Sequence, residues 1–246
     1  GIMPDLHNTL GAQYLEQTKF DRETLTGRSR PRIAPAPLYK VYPDAKRFEL
    51  PTPAFQDVDV EGLLRSRRSV RNFSREPISL EQLSSLLWAG QGVTAQSMGH
   101  ELRTTPSAGA LYPVETYLNV NRVSGLTPGL YHFNVRDFVL ELLEEGDLGA
   151  YLARAGLGQQ FMAGAAVNFC WSAVLRRNMV KYGHRGLRYV FLDAGHIGQN
   201  VVMAAEALSL GQCPVGAFFD EEANALFQLD GLEESLIYFL SVGLKG

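Results

Sequence analysis

Apolar residues recur at three- and four-residue spacing over positions 187–210, through Leu187, Val190, Phe191, Ala194, Ile197, Val201, Ala205 and Leu208, and the run stops at Gly211. This spacing predicts one long helix. Its remaining faces are also largely apolar, so the helix is expected to be buried all round. Gly195 and Gly198 would let another helix approach closely. Either a central core position in a monomer or a sheet on one side and a second subunit on the other meets that requirement. Alternation at period two predicts strands over 115–123, 129–134 and 138–143, the last two joined as a hairpin across Val135-Arg136-Asp137. A continuous apolar run predicts a strand over 166–174, and two more strands are expected over 212–219 and 236–243. Shorter helices are expected over 5–20, capped by Asp5 or Asn8, and over 57–65, 147–154 and 221–227. Another runs from Ser79 to Gly90 or Gly92, with Ser79 and Gln82 forming a capping box.

Between positions 21 and 53 the periodicity fails. Pro31, Pro35, Pro37, Pro43, Pro51 and Pro53 punctuate the stretch, which predicts an extended arm over the surface. The chain thus divides into an N-terminal helix and arm, 1–56, and one domain, 57–246. With 46% hydrophobic residues in 246, a sizeable single core is affordable. A formal net charge of −3 offers no general attraction to nucleic acid, and no apolar run reaches the roughly 18 to 20 residues of a membrane span. Cys170 and Cys213 sit in apolar strands, as expected of reduced core thiols in a cytoplasmic protein. No His, Cys and Glu cluster has metal-ligand spacing.

Four motifs carry candidate chemistry. In Arg67-Arg68-Ser69-Val70-Arg71, three guanidiniums surround one hydroxyl, a set that suits a phosphate and a second electron-rich group. In Thr105-Pro106-Ser107-Ala108-Gly109-Ala110-Leu111-Tyr112-Pro113, small residues between prolines make a stiff loop whose amides are open to a ligand. Pro214-Val215-Gly216-Ala217-Phe218-Phe219 lets backbone donors lie close to a flat ligand, and Lys181-Tyr182 is expected to open the long helix. Arg176, Arg177, His184, Arg185 and Arg188 lie near Lys181 in sequence, and nearby positive charge favours a neutral amine able to act as a base. His196 is expected to be a hydrogen-bonded core or interface residue, with Asp193 and Asn200 as partners.

The ordered set RRSVR, PSAGALYPVE, KYG, AGHIGQN and PVGAF resembles the FMN-dependent nitroreductase superfamily, and within it the SagB/ThcOx type, whose best-known members are azoline dehydrogenases. The resemblance implies an α+β nitroreductase-like fold: a central mixed, mainly antiparallel sheet flanked by helices, in a homodimer with a long buried interface helix. It implies that Arg67 and Ser69 hold the phosphate and ribityl side of FMN with support from Arg68, and that Arg71 reaches the pyrimidine edge. The Gly216 and Ala217 amides, beside Val215, would face the redox-active nitrogen. The loop Ser107, Ala108, Gly109, Ala110, Leu111 would close the site from the partner subunit. Lys181 and Tyr182 would remove a ring proton as hydride passes to the flavin. Two positions depart from the wider superfamily: Ala110 stands where many members have asparagine, and Lys245 is the only cation left for a C-terminal phosphate clamp. The implied substrate is a small molecule or modified peptide, with a cyclodehydratase as a candidate partner. An NAD(P)H-dependent nitro or quinone reductase is the alternative, and a flavin-bound scaffold without turnover stands behind it.

Overall fold

The computed structural model describes residues 5–23, 25 and 31–246. Positions 24 and 26–30 of the proline-rich arm lie outside the described residues.

Seven strands form one sheet in the order β1-β6-β5-β4-β7-β9-β8. They are β1 (Lys46–Glu49), β4 (Val114–Val120), β5 (Gly129–Asn134), β6 (Val139–Glu145), β7 (Val167–Val174), β8 (Gly211–Val215) and β9 (Glu234–Gly243). All of its ladders are antiparallel; parallel pairing survives only as isolated bridges at Ser69–Gln212 and Ile78–Val123. A separate hairpin pairs β2 (Val93–Ser97) with β3 (His100–Arg103), and neither strand was expected. The arm is also more than a surface wrap, because β1 extends the sheet at the edge of β6, with Phe48 and Leu50 against the core.

Every residue of β4 is buried, so its two faces look into two different cores. Leu118 and Val120 meet α3 (Leu80–Gln91) and α7 (Gly186–Ala207) through Leu83, Leu87, Ile197 and Val201. Tyr117 faces the other way, toward α4 (Gly149–Ala155), α5 (Phe161–Gly164) and α8 (Asp220–Leu226), where Leu152, Met162 and Phe227 pack. The predicted capping box of α3 forms: Gln82 N donates to Ser79 Oγ at 3.0 Å, and Ser79 N donates back to Gln82 Oε1 at 2.9 Å.

Position 198 explains how α7 sits so close to the sheet. A Cβ there would stand 2.8 Å from Tyr238 Cε2 of β9, so Gly198 serves packing within the chain and not a second helix. Gly195, by contrast, faces open space. Phe191 and Leu192 are 55% and 58% exposed, so the all-round burial expected of this helix is absent within one chain. The N-terminal helix is shorter than expected: α1 (Leu10–Gln17) follows a single 3-10 turn, Leu6–Asn8, with Asp5 and Thr9 as the respective caps. No helix among the described residues is long and apolar enough to cross a membrane, and no group of His, Cys, Asp and Glu among them could hold a metal ion. Cys170 and Cys213 are free and buried.

Candidate functional site

The predicted site residues gather in two sets, one toward each end of α7. The first begins where α2 (Val60–Ser66) ends, and Ser66 Oγ donates to Glu206 Oε2 at 3.3 Å near the C-terminal end of α7. Arg67 N closes α2 on Leu63 O, and the chain then leaves in extended form. Val70 N donates to Gln212 O and Ser74 N to Leu244 O, both at 2.8 Å, and Gly246 N donates to Asn72 O at 3.1 Å. These bonds bind the arginine segment to β8 and to the tail beyond β9. Gly211 is the crossing point: a Cβ there would lie 3.0 Å from Val70 Cγ1 and 3.2 Å from Lys245 Cγ. Lys245 is therefore carried to the arginine segment although 174 positions separate it from Arg71.

Arg68 folds back along the chain, its Nη1 donating to Arg65 O at 3.1 Å and to Arg67 O at 2.7 Å, where it supports the end of α2. Arg67, Arg68, Arg71 and Lys245 have no carboxylate within salt-bridge reach among the described residues. Ser69 and Arg71 are exposed. Burial pushes the Cys213 thiol up and the nearby Arg71 guanidinium pulls it back, which sets Arg71 beside β8. Past buried Val215, Gly216 and Ala217 come to the surface; a side chain at 216 would meet nothing within 4 Å, and neither N–H donates to an acceptor among the described residues.

The second set lies at the other end of α7. The loop from Thr105 to Pro113 is anchored where Ser107 Oγ donates to Asp193 Oδ2 at 2.5 Å and accepts from Tyr112 N at 3.0 Å. Gly109 has φ +65°, and Ala110 and Tyr112 share the left-handed region at +52° and +42°. For the two residues with side chains that conformation costs on the order of 1 kcal/mol or more each, so the surrounding structure must enforce it. Gly109 is needed for a second reason: a Cβ there would stand 2.6 Å from Tyr182 Oη and 3.0 Å from Lys181 Nζ. Lys181 and Tyr182 thus converge on the loop. They close α6 (Leu175–Tyr182) and do not open the long helix, because Gly183, at φ +58°, ends α6 and a 3-10 turn intervenes before α7. Tyr182 also stacks edge-on against Tyr189, with ring centroids 4.9 Å apart.

The basic residues around Lys181 in sequence are dispersed in space. Arg176 pairs with Glu233, and Arg177 with Glu115 at 2.6 Å. Arg185 Nη1 and Arg188 Nε donate to Thr18 O and Oγ1 at 2.8 and 2.9 Å, holding α1 in place. The concentrated positive field expected from the sequence is not formed. His196 is exposed and makes no bond to Asn200, which instead donates to Ala89 O. The sequence reading missed the weight of Asp193: its carboxyl is pushed up to about 6, chiefly by burial, with the Ser107 bond and His196 opposing. It also missed Glu115 and His132 as buried charges, although an acid inside the alternating strand after the loop was a signal.

Asp193 and Glu206 anchor the two sets thirteen residues apart on α7, about 20 Å at the helical rise of ~1.5 Å per residue. One chain does not bring the arginine segment to the Lys181–Tyr182 pair. Between them α7 presents exposed Phe191, Leu192 and Gly195, and an apolar groove of 410 Å³ continues this surface past Met203 toward α2 and α3.

The sequence profile of the nitroreductase family matches residues 64–244. The nitroreductase-like protein MJ1384 of Methanocaldococcus jannaschii is 37% identical over 199 residues, covering 80% of this chain and 97% of that one. The trifolitoxin-processing protein TfxB of Rhizobium leguminosarum is 29% identical over 149 residues, 58% of this chain and 40% of its own length. Among solved structures, a nitroreductase-type protein of Anabaena variabilis superposes with a TM-score of 0.74 at 28% identity; it covers 94% of this chain, which spans 45% of its length. A chain of the Escherichia coli McbBCD microcin synthetase complex shares the fold, with a TM-score of 0.62 at 21% identity over 79% of this chain and 77% of that one.

Proposed function

Because the chain belongs to the nitroreductase family of oxidoreductases, typically FMN-dependent, we propose that it is an FMN-dependent dehydrogenase of SagB type acting on a thiazoline- or oxazoline-like ring. The observation that carries this reading is the convergence of Lys181 Nζ and Tyr182 Oη on Gly109, which gives the loop an amine and a phenol at one point. Lys181 receives the ring proton, and Tyr182, steadied by Tyr189, orients the pair. Bound FMN supplies the hydride acceptor. The residues fit such a group. Among the described residues Arg67, Lys245 and Arg71 have no carboxylate partner, so Arg67, Ser69 and Lys245 suit its phosphate and Arg71 suits the electron-rich edge of the reduced ring. Open Gly216 and the unengaged N–H groups of Gly216 and Ala217 suit a flat ring lying against the backbone. The phosphate and base halves lie too far apart on one chain, so each site takes Arg67 to Arg71 from one copy and the Ser107 to Leu111 loop with Lys181 from another. Residues 57–246 form the flavin-binding unit and 1–56 its strap.

A peptide-maturation setting is supported by the similarity to TfxB, named for processing trifolitoxin, and makes a cyclodehydratase the fitting partner. Similarity to MJ1384 favours a second reading, an NAD(P)H-dependent nitro or quinone reductase. Lys181→Ala separates the two. It should retain FMN yet lose ~10²- to 10⁴-fold in azoline-dependent flavin reduction, the usual cost of a missing base. Reduction by NAD(P)H takes hydride directly and should hardly change. Rapid wild-type reduction by NAD(P)H with transfer to nitroaromatics or quinones, indifferent to Lys181→Ala, would establish the reductase instead. Mixing Arg71→Ala chains, at an FMN concentration too low to load them, with inactive Lys181→Ala chains tests the shared site. Random heterodimers restore one intact site of two, so about a quarter of wild-type activity returns if halves come from different copies. No recovery would mean both halves act within one chain.

A further inference from the structure

Beneath the Lys181–Tyr182 pair runs a line of buried charges that the proposed reaction leaves unused. Arg177 lies one helical turn before Lys181 on α6, and its side chain is 3% exposed. Its Nη1 donates to Glu115 Oε2 at 2.6 Å and to Tyr112 O at 3.1 Å, and its Nε donates to Pro37 O at 2.6 Å. One guanidinium therefore ties α6, the left-handed end of the loop and the arm together. Glu115 Oε1 lies 2.6 Å from His132 Nε2, and His132 Nδ1 lies 2.7 Å from Glu141 Oε1. His132 and Glu141 are partners across β5 and β6, both wholly buried.

Each ring nitrogen of His132 faces a carboxylate oxygen at hydrogen-bond distance, a setting that favours the imidazolium, in which both nitrogens donate and the line alternates Arg⁺, Glu⁻, His⁺, Glu⁻. Apolar residues of similar volume would stabilise the sheet at least as well, so the line is not explained by stability alone. Around it, Tyr117 of β4 and Tyr42 of the arm pack on the His132 ring at 5.2 and 5.1 Å, and Arg47 of β1 stands 3.9 Å from Glu141. Lys40 of the arm, paired with Glu234 of β9, faces Tyr117.

We propose that Arg177 is a positioning residue that fixes the spacing between the Ser107–Tyr112 loop and the Lys181–Tyr182 pair, and that Glu115, His132 and Glu141 hold Arg177 in place through the protonated imidazole. This deepens the dehydrogenase reading, since the pair it positions is the one assigned there. Loss of the His132 proton leaves a ring lone pair facing a carboxylate. Glu115 then shifts, and the Arg177 bond to Tyr112 O loosens. The two glutamates raise the His132 pKa against burial, so the contribution is complete below the ordinary histidine range and lost as pH rises through the raised value.

The test uses the full chain loaded with FMN, carrying 3-fluorotyrosine at position 182, with fluorine NMR reporting the pair and amide exchange reporting residues 107–112. In the wild type the fluorine resonance should move with pH at the midpoint of the His132 ring signals, read by imidazole NMR. Glu141→Gln should lower both midpoints together by about one pH unit or more, because one of two carboxylates is gone. Arg177→Lys, which keeps the charge but loses the fork, should displace the resonance and speed exchange in the loop at every pH. If His132→Gln folds, its resonance should lack the step at the His132 midpoint. A resonance identical in the wild type, Glu141→Gln and Arg177→Lys, or a neutral His132 ring at pH 6, overturns the proposal. Neither result bears on Lys181 as base, which rests on the Lys181→Ala measurement.

Discussion

Arg177 and Arg71 carry the same charge in opposite surroundings. Arg177 is buried and bonded to Glu115, Tyr112 O and Pro37 O, and the carboxylate it meets passes the charge balance on to His132 and Glu141. Arg71 is exposed, and among the described residues neither it nor Arg67, Arg68 or Lys245 has a carboxylate in reach. A cation whose partners lie within the chain fixes geometry. A cluster of cations without counter-charges repels itself until an anion arrives, which supports the phosphate site proposed for it.

Removing Arg177 should bring the largest loss. Arg177→Met leaves Glu115 buried beside His132 with an unmatched charge, and urea denaturation should show a stability loss of about 3–5 kcal/mol. Arg177→Met and Arg71→Met of equal stability would erase the distinction. Acid should reach the same network next. The His132 and Arg177 donors hold Glu115 at about 2 against a burial penalty, so its contribution of roughly 3 kcal/mol is present above pH ~4.5 and is lost as pH falls toward 2. Glu115→Gln should flatten that limb of the stability profile.

Asp193, the carboxylate under the Ser107–Tyr112 loop, has the opposite sign. Its raised value means the folded chain favours the proton, so stability falls as pH rises from ~4 to 6, by about 2 kcal/mol allowing for its partial solvation. Asp193→Asn should therefore raise the melting temperature at pH 7–8; a lower melting temperature would show that the Ser107 bond outweighs the burial cost. Arg71→Ala should leave the melting temperature of the FMN-free chain unchanged. It should weaken FMN by about 1.5–3 kcal/mol, the worth of a charge-assisted bond, as read by fluorescence titration. Unchanged FMN affinity and flavin potential would show that Arg71 points elsewhere.

Much of this was legible in the chain itself. The period of apolar positions gave the strands β4 to β7 and helices α3 and α7 nearly to their ends, because a buried face needs the same spacing wherever the element lies. The four motifs were legible as well, since a small-residue loop between prolines, Gly216 beside Ala217 and the arginine cluster stand out against the apolar pattern. What the local pattern could not hold was which residues meet. Only the crossing at Gly211 brings Lys245 to Val70, and only the left-handed Gly183 decides that Lys181 and Tyr182 end one helix and do not begin the next. The arginines near Lys181 looked like one basic field because sequence distance stands in for space there; tertiary contacts sent them to Glu233, Glu115 and Thr18. Side-chain type and periodicity are set residue by residue and can be read from the sequence. Charge pairing, and the ~20 Å that divides the two sets of candidate residues along α7, depend on how the sheet and helices close around one another.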